Sequence, residues 1–204
     1  MIRKFYLGIA FVLALFFLTG CLDSKYEVVF KDYSGAILKT TSVKSGLNAE
    51  APEDPVRDGY DFVGWSVDFN NVTGNLEVKA EYEVKKYAIN FFVDGVQVGE
   101  TQKVAYRESA ILPDAPVKEG CTFTGWVGDY TNVTKAADIE AAFDINVYKV
   151  VFKDFNGYTI QESYVRHGEA AIAPDEPTRE GYDFDGWSKT FNNITSDLVV
   201  IAKY

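Results

Sequence analysis

The chain has 204 residues, enough for one large domain or two to three small ones, and its 47% hydrophobic content excludes a disordered chain. Thirty acidic and twenty basic residues give a net charge of −10, which repels phosphate backbones, so nucleic acid is not an expected partner. One His, two Cys and one Met leave few ligands for a soft-metal site or for a nucleophile with its base, which weakens most enzyme classes.

The first twenty residues are typical of a secretory signal. Arg3 and Lys4 precede an apolar run of fourteen residues, Phe5 to Leu18, and small residues follow this run. The run is shorter than the roughly 20 residues of a membrane-spanning helix, which favours cleavage over an uncleaved anchor. We therefore assign residues 1–20 to a signal peptide and residues 21–25 to a short tether.

Cys21 ends the string Leu18-Thr19-Gly20-Cys21, which resembles the lipobox of bacterial lipoproteins. The resemblance implies that Cys21 is the lipid-attachment residue and contacts the bilayer through its acyl chains. At about 0.8 kcal/mol for each buried methylene, two or three chains would make attachment effectively permanent. The alternative is an ordinary export signal with a chance Cys at the cleavage point. Either way we expect a location outside the cytoplasmic membrane, and the lipobox predicts lipid anchoring there.

The rest of the chain repeats one unit three times. Trp65, Trp126 and Trp187 are 61 residues apart, and many Pro, Gly and Asn-x-Thr positions share this offset. We assign repeat 1 to residues 26–85, repeat 2 to residues 86–147 and repeat 3 to residues 148–204. The connections between the repeats are too short and too poor in Gly and Ser to act as flexible tethers.

Each repeat begins with a pattern typical of a β-hairpin. Apolar residues from Tyr26 to Phe30 alternate with polar ones, and a second strand is predicted from Leu38 to Val43. The intervening turn ends on Gly35, which can adopt a positive φ. In repeat 2 the turn shortens to Asp94-Gly95, a strong signal for a two-residue hairpin loop.

The second half of each repeat predicts two more strands. The segment that precedes these strands contains Pro52 and Pro55, which allow at most a short helix or a loop there. Residues 59–65 then alternate again, and Gly64 predicts a bulge that returns the Trp65 ring to the face of Tyr60 and Phe62. We assign these three aromatic residues and their equivalents to the core. The predicted class is α+β, mostly β, with the order β-β-(short helix or loop)-β-β in each repeat.

The string Gly-Tyr-x-Phe-x-Gly-Trp, followed by Asn-Val-Thr and a final Ala-x-Tyr, resembles the Listeria–Bacteroides repeat, the family that includes the B-repeat of internalin surface proteins. The resemblance implies a compact β-grasp-like module with one short helix, found in tandem arrays on bacterial surface proteins. Repeat 2 departs from the pattern at Arg107, where the other repeats have Gly46 and Gly168, and at Cys121. The structural markers of the repeats are Gly59, Trp65, Gly120, Trp126, Gly181 and Trp187.

Several polar features are interpreted as structural. His167 has no second His or Cys at ligand spacing and is interpreted as a turn residue, and Cys121 as a small buried hydrophobe. The Asn-x-Thr triplets fit a glycosylation acceptor, but turn chemistry explains their fixed place in each repeat. Some carboxylates recur beside the paired prolines, and we expect a solvated loop or helix-start cap there instead of a cation site. These carboxylates are Glu53, Asp54, Asp114, Asp175 and Glu176.

No catalytic residue, metal site or cofactor is predicted, so we expect a non-enzymatic protein. The aromatic residues peculiar to one repeat are the candidates for ligand contact. They are Tyr33, Tyr106, Phe155, Tyr158 and Tyr164. The expected function is adhesion to, or interaction with, a surface protein or glycan through the repeats. The alternatives are a structural spacer or envelope-coat component without a dedicated ligand, and an enzyme whose site the sequence does not reveal.

Overall fold

The computed structural model describes residues 24–204, which form three small sheets, one for each repeat. The predicted signal peptide and Cys21 lie outside these residues. Repeat 1 contains strands β1 to β4, which are Lys25–Lys31, Ile37–Lys44, Tyr60–Trp65 and Leu76–Val84. Repeat 2 contains β5 to β8, which are Lys86–Val93, Val96–Ala105, Cys121–Val127 and Ala137–Ile145. Repeat 3 contains β9 to β11, which are Val147–Lys153, Thr159–Arg166 and Leu198–Ile201.

The first and last strands of each repeat are neighbours at the centre of its sheet. The strand order is β2-β1-β4-β3 in repeat 1, β6-β5-β8-β7 in repeat 2 and β10-β9-β11 in repeat 3. In repeat 1, β1 is antiparallel to β2 and parallel to β4, with Val28 opposite Leu76 and Phe30 opposite Val78. The fold is therefore mostly β, as predicted.

Repeat 3 lacks the fourth strand that the alternation of its residues predicts. In repeat 2, Cys121 and Thr122 pair with Ile145 and Asp144. The equivalent residues of repeat 3, Tyr182 and Asp183, belong to no strand within the described residues. Pairing is reduced to a bridge between Trp187 and Ala202 with a few flanking backbone hydrogen bonds.

The hairpin turns have the conformations that the sequence predicts. Gly35 has a φ of +88°, and Asp94 and Gly95 have φ values of +49° and +76°. A positive φ at both central residues is the requirement of a type I′ turn, and Val93 pairs with Val96 across it.

Of the short helix or loop predicted in each repeat, the loop is the one that forms, and the short helix that the resemblance implies is wrong, since no helix occurs between residues 24 and 204. None of that stretch could cross a membrane as a helix. Two loops cover the core face of the sheet instead. In repeat 1 the loops bond to each other through Gly46 N–H to Val72 O (2.8 Å), Val72 N–H to Leu47 O (2.8 Å) and Ala49 N–H to Phe69 O (2.9 Å). Their backbone groups are satisfied across the pair, and prolines interrupt the remainder, so no helical ladder forms.

The paired loops bring apolar side chains onto the sheet. Val72 is buried against Phe30, and Trp65 and Phe69 pack around them. The same core recurs in repeats 2 and 3 around Phe91 and Phe152. The Asn-x-Thr triplet is therefore a turn that inserts its middle residue into the core, and Asn71 and Asn132 adopt φ values of +50° and +48°. This geometry confirms the structural interpretation of the triplets.

The predicted glycine bulge is confirmed. The register of β7 on β8 shifts between Phe123 and Gly125, and Gly125 has a φ of +141°. Phe123 and Trp126 would face opposite sides of a regular strand, yet their ring centroids are 5.6 Å apart.

Repeat 1 lies in one compact unit and repeats 2 and 3 in another, divided between Glu83 and Val84. Within the second unit, Asn146 alone separates β8 from β9, and its N–H donates to Gly120 O at 2.8 Å. His167 lies in the turn after β10, as predicted, and its Nδ1 is 3.3 Å from the Tyr148 hydroxyl. A Cβ on Gly120 would overlap the His167 ring, so this marker glycine makes room for the next repeat.

Arg107 carries backbone strain that the other repeats avoid. Its φ is +67°, where Gly46 and Gly168 have +85° and +81°. A side chain in this region costs about 1 kcal/mol. We therefore expect Arg107→Gly to raise the free energy of unfolding of repeats 2 and 3 by up to about 1 kcal/mol. The flexibility of Gly in the unfolded chain offsets part of this gain.

Urea denaturation followed by tryptophan fluorescence measures this change. The matched control is Gly168→Ala, because a Cβ there has only Asn193 Oδ1 nearby, at 3.9 Å, and meets backbone strain alone. It should lower stability by about 1 kcal/mol. A loss of stability in Arg107→Gly would show that the contact between the Arg107 guanidinium and the Tyr106 ring, at 5.1 Å, outweighs the strain.

Candidate functional site

A series of edge-to-face aromatic contacts runs from the core of each repeat toward its surface. In repeat 1 the ring centroids are 5.0 Å apart for Phe30 and Trp65, 5.3 Å for Trp65 and Phe62, and 5.8 Å for Phe62 and Tyr82. Repeat 2 has the series Phe91, Trp126, Phe123 and Phe143, and repeat 3 has Phe152, Trp187, Phe184 and Tyr204. Such pairs contribute about 0.5–1.5 kcal/mol each beyond their buried area.

In repeat 1 the series ends in a cation surrounded by tyrosines, which we name the Arg57 cluster: Arg57, Tyr33, Tyr60 and Tyr82. The guanidinium carbon lies 4.4 Å from the Tyr33 ring centroid, 3.5 Å from that of Tyr60 and 5.6 Å from that of Tyr82. A tight turn creates the closest contact, because the Tyr60 N–H donates to Arg57 O at 3.1 Å and Gly59 has a φ of +77°.

Repeat 3 contains an equivalent Arg179 cluster: Arg179, Phe155, Tyr182 and Tyr204. Its distances from guanidinium carbon to ring centroid are 4.1 Å for Phe155, 3.8 Å for Tyr182 and 5.6 Å for Tyr204. Arg57 and Arg179 are separated by two repeat offsets. Both clusters form the same cation–π arrangement, with Arg stacked between a hairpin-turn aromatic and a tyrosine.

In repeat 2 the cation at this position is a lysine, and it forms an ion pair within the same repeat. Lys118 occupies the position of the arginines, Cys121 that of the stacked tyrosine, and the two-residue turn provides no aromatic ring. Lys118 Nζ binds Asp94 Oδ1 at 2.7 Å, and it lies 5.3 Å from the Phe143 ring centroid. The hydrogen bond to Asp94 raises the pKa of Lys118.

The carboxylates of the two hairpin turns, Asp32 and Asp154, are bound to other partners. Asp32 Oδ1 accepts hydrogen bonds from Ser34 Oγ (2.7 Å), Ser34 N–H (2.8 Å) and Ala36 N–H (3.0 Å), and the Ser34 hydroxyl is the main cause that lowers the pKa of Asp32. In repeat 3, the Tyr204 hydroxyl and the Phe155 N–H both donate to Asp154 Oδ1 at 2.8 Å.

Two tyrosine hydroxyls in the clusters hold their protons tightly. Burial is the main cause that raises the pKa of Tyr82, and the nearby charge of Asp32 adds to it. Burial also raises the pKa of Tyr204, with the hydrogen bond to Asp154 as the second cause. Both rings are therefore neutral donors at physiological pH; Tyr82 donates to Pro55 O at 3.3 Å.

The structure places two of the five contact candidates in these clusters. Tyr33 is 58% exposed and Phe155 is 46% exposed, each beside its arginine. Tyr158 lies at the end of the same hairpin turn as Phe155, and Tyr164 projects from the edge strand β10; both are exposed. Tyr106 is half-buried and lies beside Arg107.

The core assignment of the Tyr60 position is wrong. Tyr182 is 57% exposed and Tyr60 is half-buried, because the turn before each residue directs its ring onto the arginine. Cys121, predicted to be buried, is half-buried. Sequence reasoning missed the arginines. The signal was present, since a cation occurs at the 61-residue offset in each repeat: Arg57, Lys118 and Arg179.

The carboxylates beside the prolines are solvent-exposed. Glu53, Asp54, Asp114, Asp175 and Glu176 all have exposed side chains. Within residues 24–204, no three His, Cys, Asp or Glu side chains converge closely enough to hold a metal ion.

Comparison with known proteins adds a family and several relatives. Residues 26–85, 87–147 and 148–203 each match the Listeria-Bacteroides repeat domain. Two Evansella cellulosilytica proteins named as membrane proteins, one of them Gly-rich, are each 29% identical, over 79% and 89% of this chain. Internalin H of Listeria monocytogenes is 34% identical over 57% of this chain. The chain spans about a quarter of the length of these relatives, which is 27%, 25% and 23% respectively.

The raised pKa values of Tyr82 and Tyr204 predict a loss of stability at alkaline pH. The folded state retains these protons more tightly than the unfolded state, so their contribution is present below pH 10 and is lost as the pH rises through the folded-state pKa values. We expect Tyr82→Phe/Tyr204→Phe to make the unfolding free energy fall less steeply between about pH 9 and pH 11.

Denaturation at several pH values, with absorbance at 295 nm to count tyrosinates, measures this effect. Phe is a suitable replacement because Phe143 occupies the equivalent position in repeat 2. An unchanged pH dependence in the double variant would contradict the assignment of the alkaline transition to these two hydroxyls.

Proposed function

We propose, because this chain belongs to the Listeria-Bacteroides repeat domain family, that its repeats form a non-catalytic adhesion or interaction module at the bacterial surface. The ligand is a surface protein or a glycan, and neither a cofactor nor nucleic acid takes part. The strand order supports a β-grasp-like module in which two paired loops replace the helix.

One observation carries this proposal: the exposed Arg–aromatic cluster recurs in repeats 1 and 3. Large aromatic rings beside an arginine are the side chains that most often dominate binding surfaces. Here their positions are fixed by a turn, a hairpin and the aromatic series behind them, so little conformational entropy is lost on binding. Two equivalent sites on one chain also allow bivalent attachment, which strengthens weak binding by effective concentration.

Membrane attachment through lipidated Cys21 is the second part of the proposal. The lipobox-like string supports it, as do the names of the two Evansella relatives and of Internalin H, which point to membrane and surface proteins. The three repeats would then face the exterior of the cell from a short tether.

A structural role as a spacer or envelope-coat component is the alternative. Edge strands favour it, because β2, β6 and β10 each have one side without a partner strand in their own sheet. Unpaired strand edges are templates for pairing with another chain.

The adhesion proposal is tested with residues 24–204, which contain all three cores, displayed on beads against glycans, matrix proteins and cell-wall fragments. We expect saturable binding. Tyr33→Ser or Phe155→Ser alone should weaken it by up to about 100-fold, because either change leaves one site and removes bivalency, and the two together should abolish it.

Tyr164→Ser is the matched control, since Tyr164 is 70% exposed and lies outside both clusters. Equal binding by the double variant and the wild type would exclude the clusters as the binding surface. A folded protein that binds nothing on the panel but sediments as an oligomer would replace adhesion with the coat role.

Lipid attachment predicts that the full chain incorporates labelled palmitate in a bacterial host and partitions into the membrane fraction. Cys21→Ser should lose both the label and the membrane association, because acyl chains provide the anchor. Cys121→Ser removes the other thiol and serves as the control. Retention of the full chain in the membrane without label would indicate an uncleaved apolar anchor.

A further inference from the structure

The three repeats each have a cation at the same repeat position, Arg57, Lys118 or Arg179, but its contacts differ. In repeat 2, Lys118 has its own carboxylate, Asp94, at 2.7 Å. In repeats 1 and 3, the guanidiniums of Arg57 and Arg179 contact aromatic rings. The hairpin-turn carboxylate that pairs with the cation in repeat 2 has no such role in repeats 1 and 3, where Asp32 and Asp154 bind other partners.

The nearest acidic residues of the hairpin turns do not fill this role. Asp32 accepts hydrogen bonds from its own turn, and Asp154 accepts from Tyr204 and from Phe155 N–H. Tyr33 and Phe155 come next in their turns and occupy the faces of the arginines. The longer turn thus exchanges an internal ion pair for a stacking contact.

A guanidinium that stacks through its faces can still bind an anion through its edge. The five N–H donors lie in the plane of the group and match a carboxylate with two parallel hydrogen bonds. An aromatic surround lowers the local polarity, which strengthens such an ion pair relative to one in open water. Each cluster is thus arranged to receive a planar anion at its edge.

We infer that the Arg57 and Arg179 clusters each bind the carboxylate of an acidic sugar, at the place that Asp94 takes for Lys118 in repeat 2. The inference rests on the proposed adhesive function and specifies its ligand. The aromatic rings favour a sugar, because the exposed faces of Tyr33 and Tyr182 provide apolar area beside the guanidinium for the C–H face of a pyranose. A net charge of −10 repels a densely charged polyanion more strongly than a glycan with an isolated carboxylate.

The direct test is an NMR titration of ¹⁵N-labelled residues 24–204, observing the arginine Nε–H signals and the backbone amide signals of the turns at residues 57–60 and 179–182. Methyl glucuronide is the probe and methyl glucoside, which lacks the carboxylate, is its neutral match. We expect saturable shifts of the Arg57 and Arg179 signals with methyl glucuronide and at least about tenfold weaker binding of methyl glucoside, since a charge-assisted pair is lost.

Variants separate the two sites and control for folding. Arg57→Ala should abolish the shifts in repeat 1 and leave those in repeat 3, with the reverse for Arg179→Ala. Arg57→Lys retains the charge but loses the two-point contact, and should bind severalfold more weakly than the wild type. Lys118→Ala, the matched control in repeat 2, should leave both sites unchanged.

Three results would overturn the inference. The first is equal affinity for methyl glucuronide and methyl glucoside, and the second is unchanged binding by the arginine variants. The third is no shift at probe concentrations of about 50 mM, which would put the dissociation constant above that of a functional site. Equal or tighter binding of acetyl-glutamate amide would assign the sites to peptide carboxylates in place of sugars. Bead adhesion that persists after any of these results would leave the proposed function standing and reject only its ligand.

Discussion

Each repeat depends on the pairing of two loops that have no regular structure of their own. A sheet of three or four short strands has one face to bury, and a unit of about 60 residues has little apolar surface to spare. The loops can cover this face only because their backbone groups bond to each other, as at Gly46, Val72 and Ala49. Val72 and Phe69 then reach Phe30, and the sheet acquires a closed core.

The candidate surface is an extension of this core. Phe30 fixes Trp65, the glycine bulge returns Trp65 to the face of Phe62, and Phe62 contacts Tyr82 at the border of the arginine cluster. Changes in the hairpin turn therefore alter the surface without disturbing the fold. Repeat 2 illustrates this, because its two-residue turn and Lys118 give an internal ion pair while its core matches those of the other repeats.

Much of this architecture follows from the sequence. The offset of Trp65, Trp126 and Trp187 predicts the tandem repeats, the alternation predicts the strands, and a glycine one residue before Trp predicts the bulge. Pairing between distant loops has no short-range signature, so the prolines of residues 51–58 were compatible with a short helix that does not form. The direction of the Tyr182 ring depends on the preceding turn, and a lone arginine in such a turn is indistinguishable from a solvated charge until the repeats are compared.

The parallel pairing of the first and last strands has a mechanical consequence. Val28 to Lys31 lie beside Leu76 to Lys79, so the two ends of repeat 1 leave its sheet in opposite directions from adjacent strands. Tension between the ends of the repeat loads these hydrogen bonds in shear, so that they must break together and not one after another. The same pair occurs in repeats 2 and 3. A tethered chain that holds a ligand against flow would gain resistance to unfolding from this arrangement.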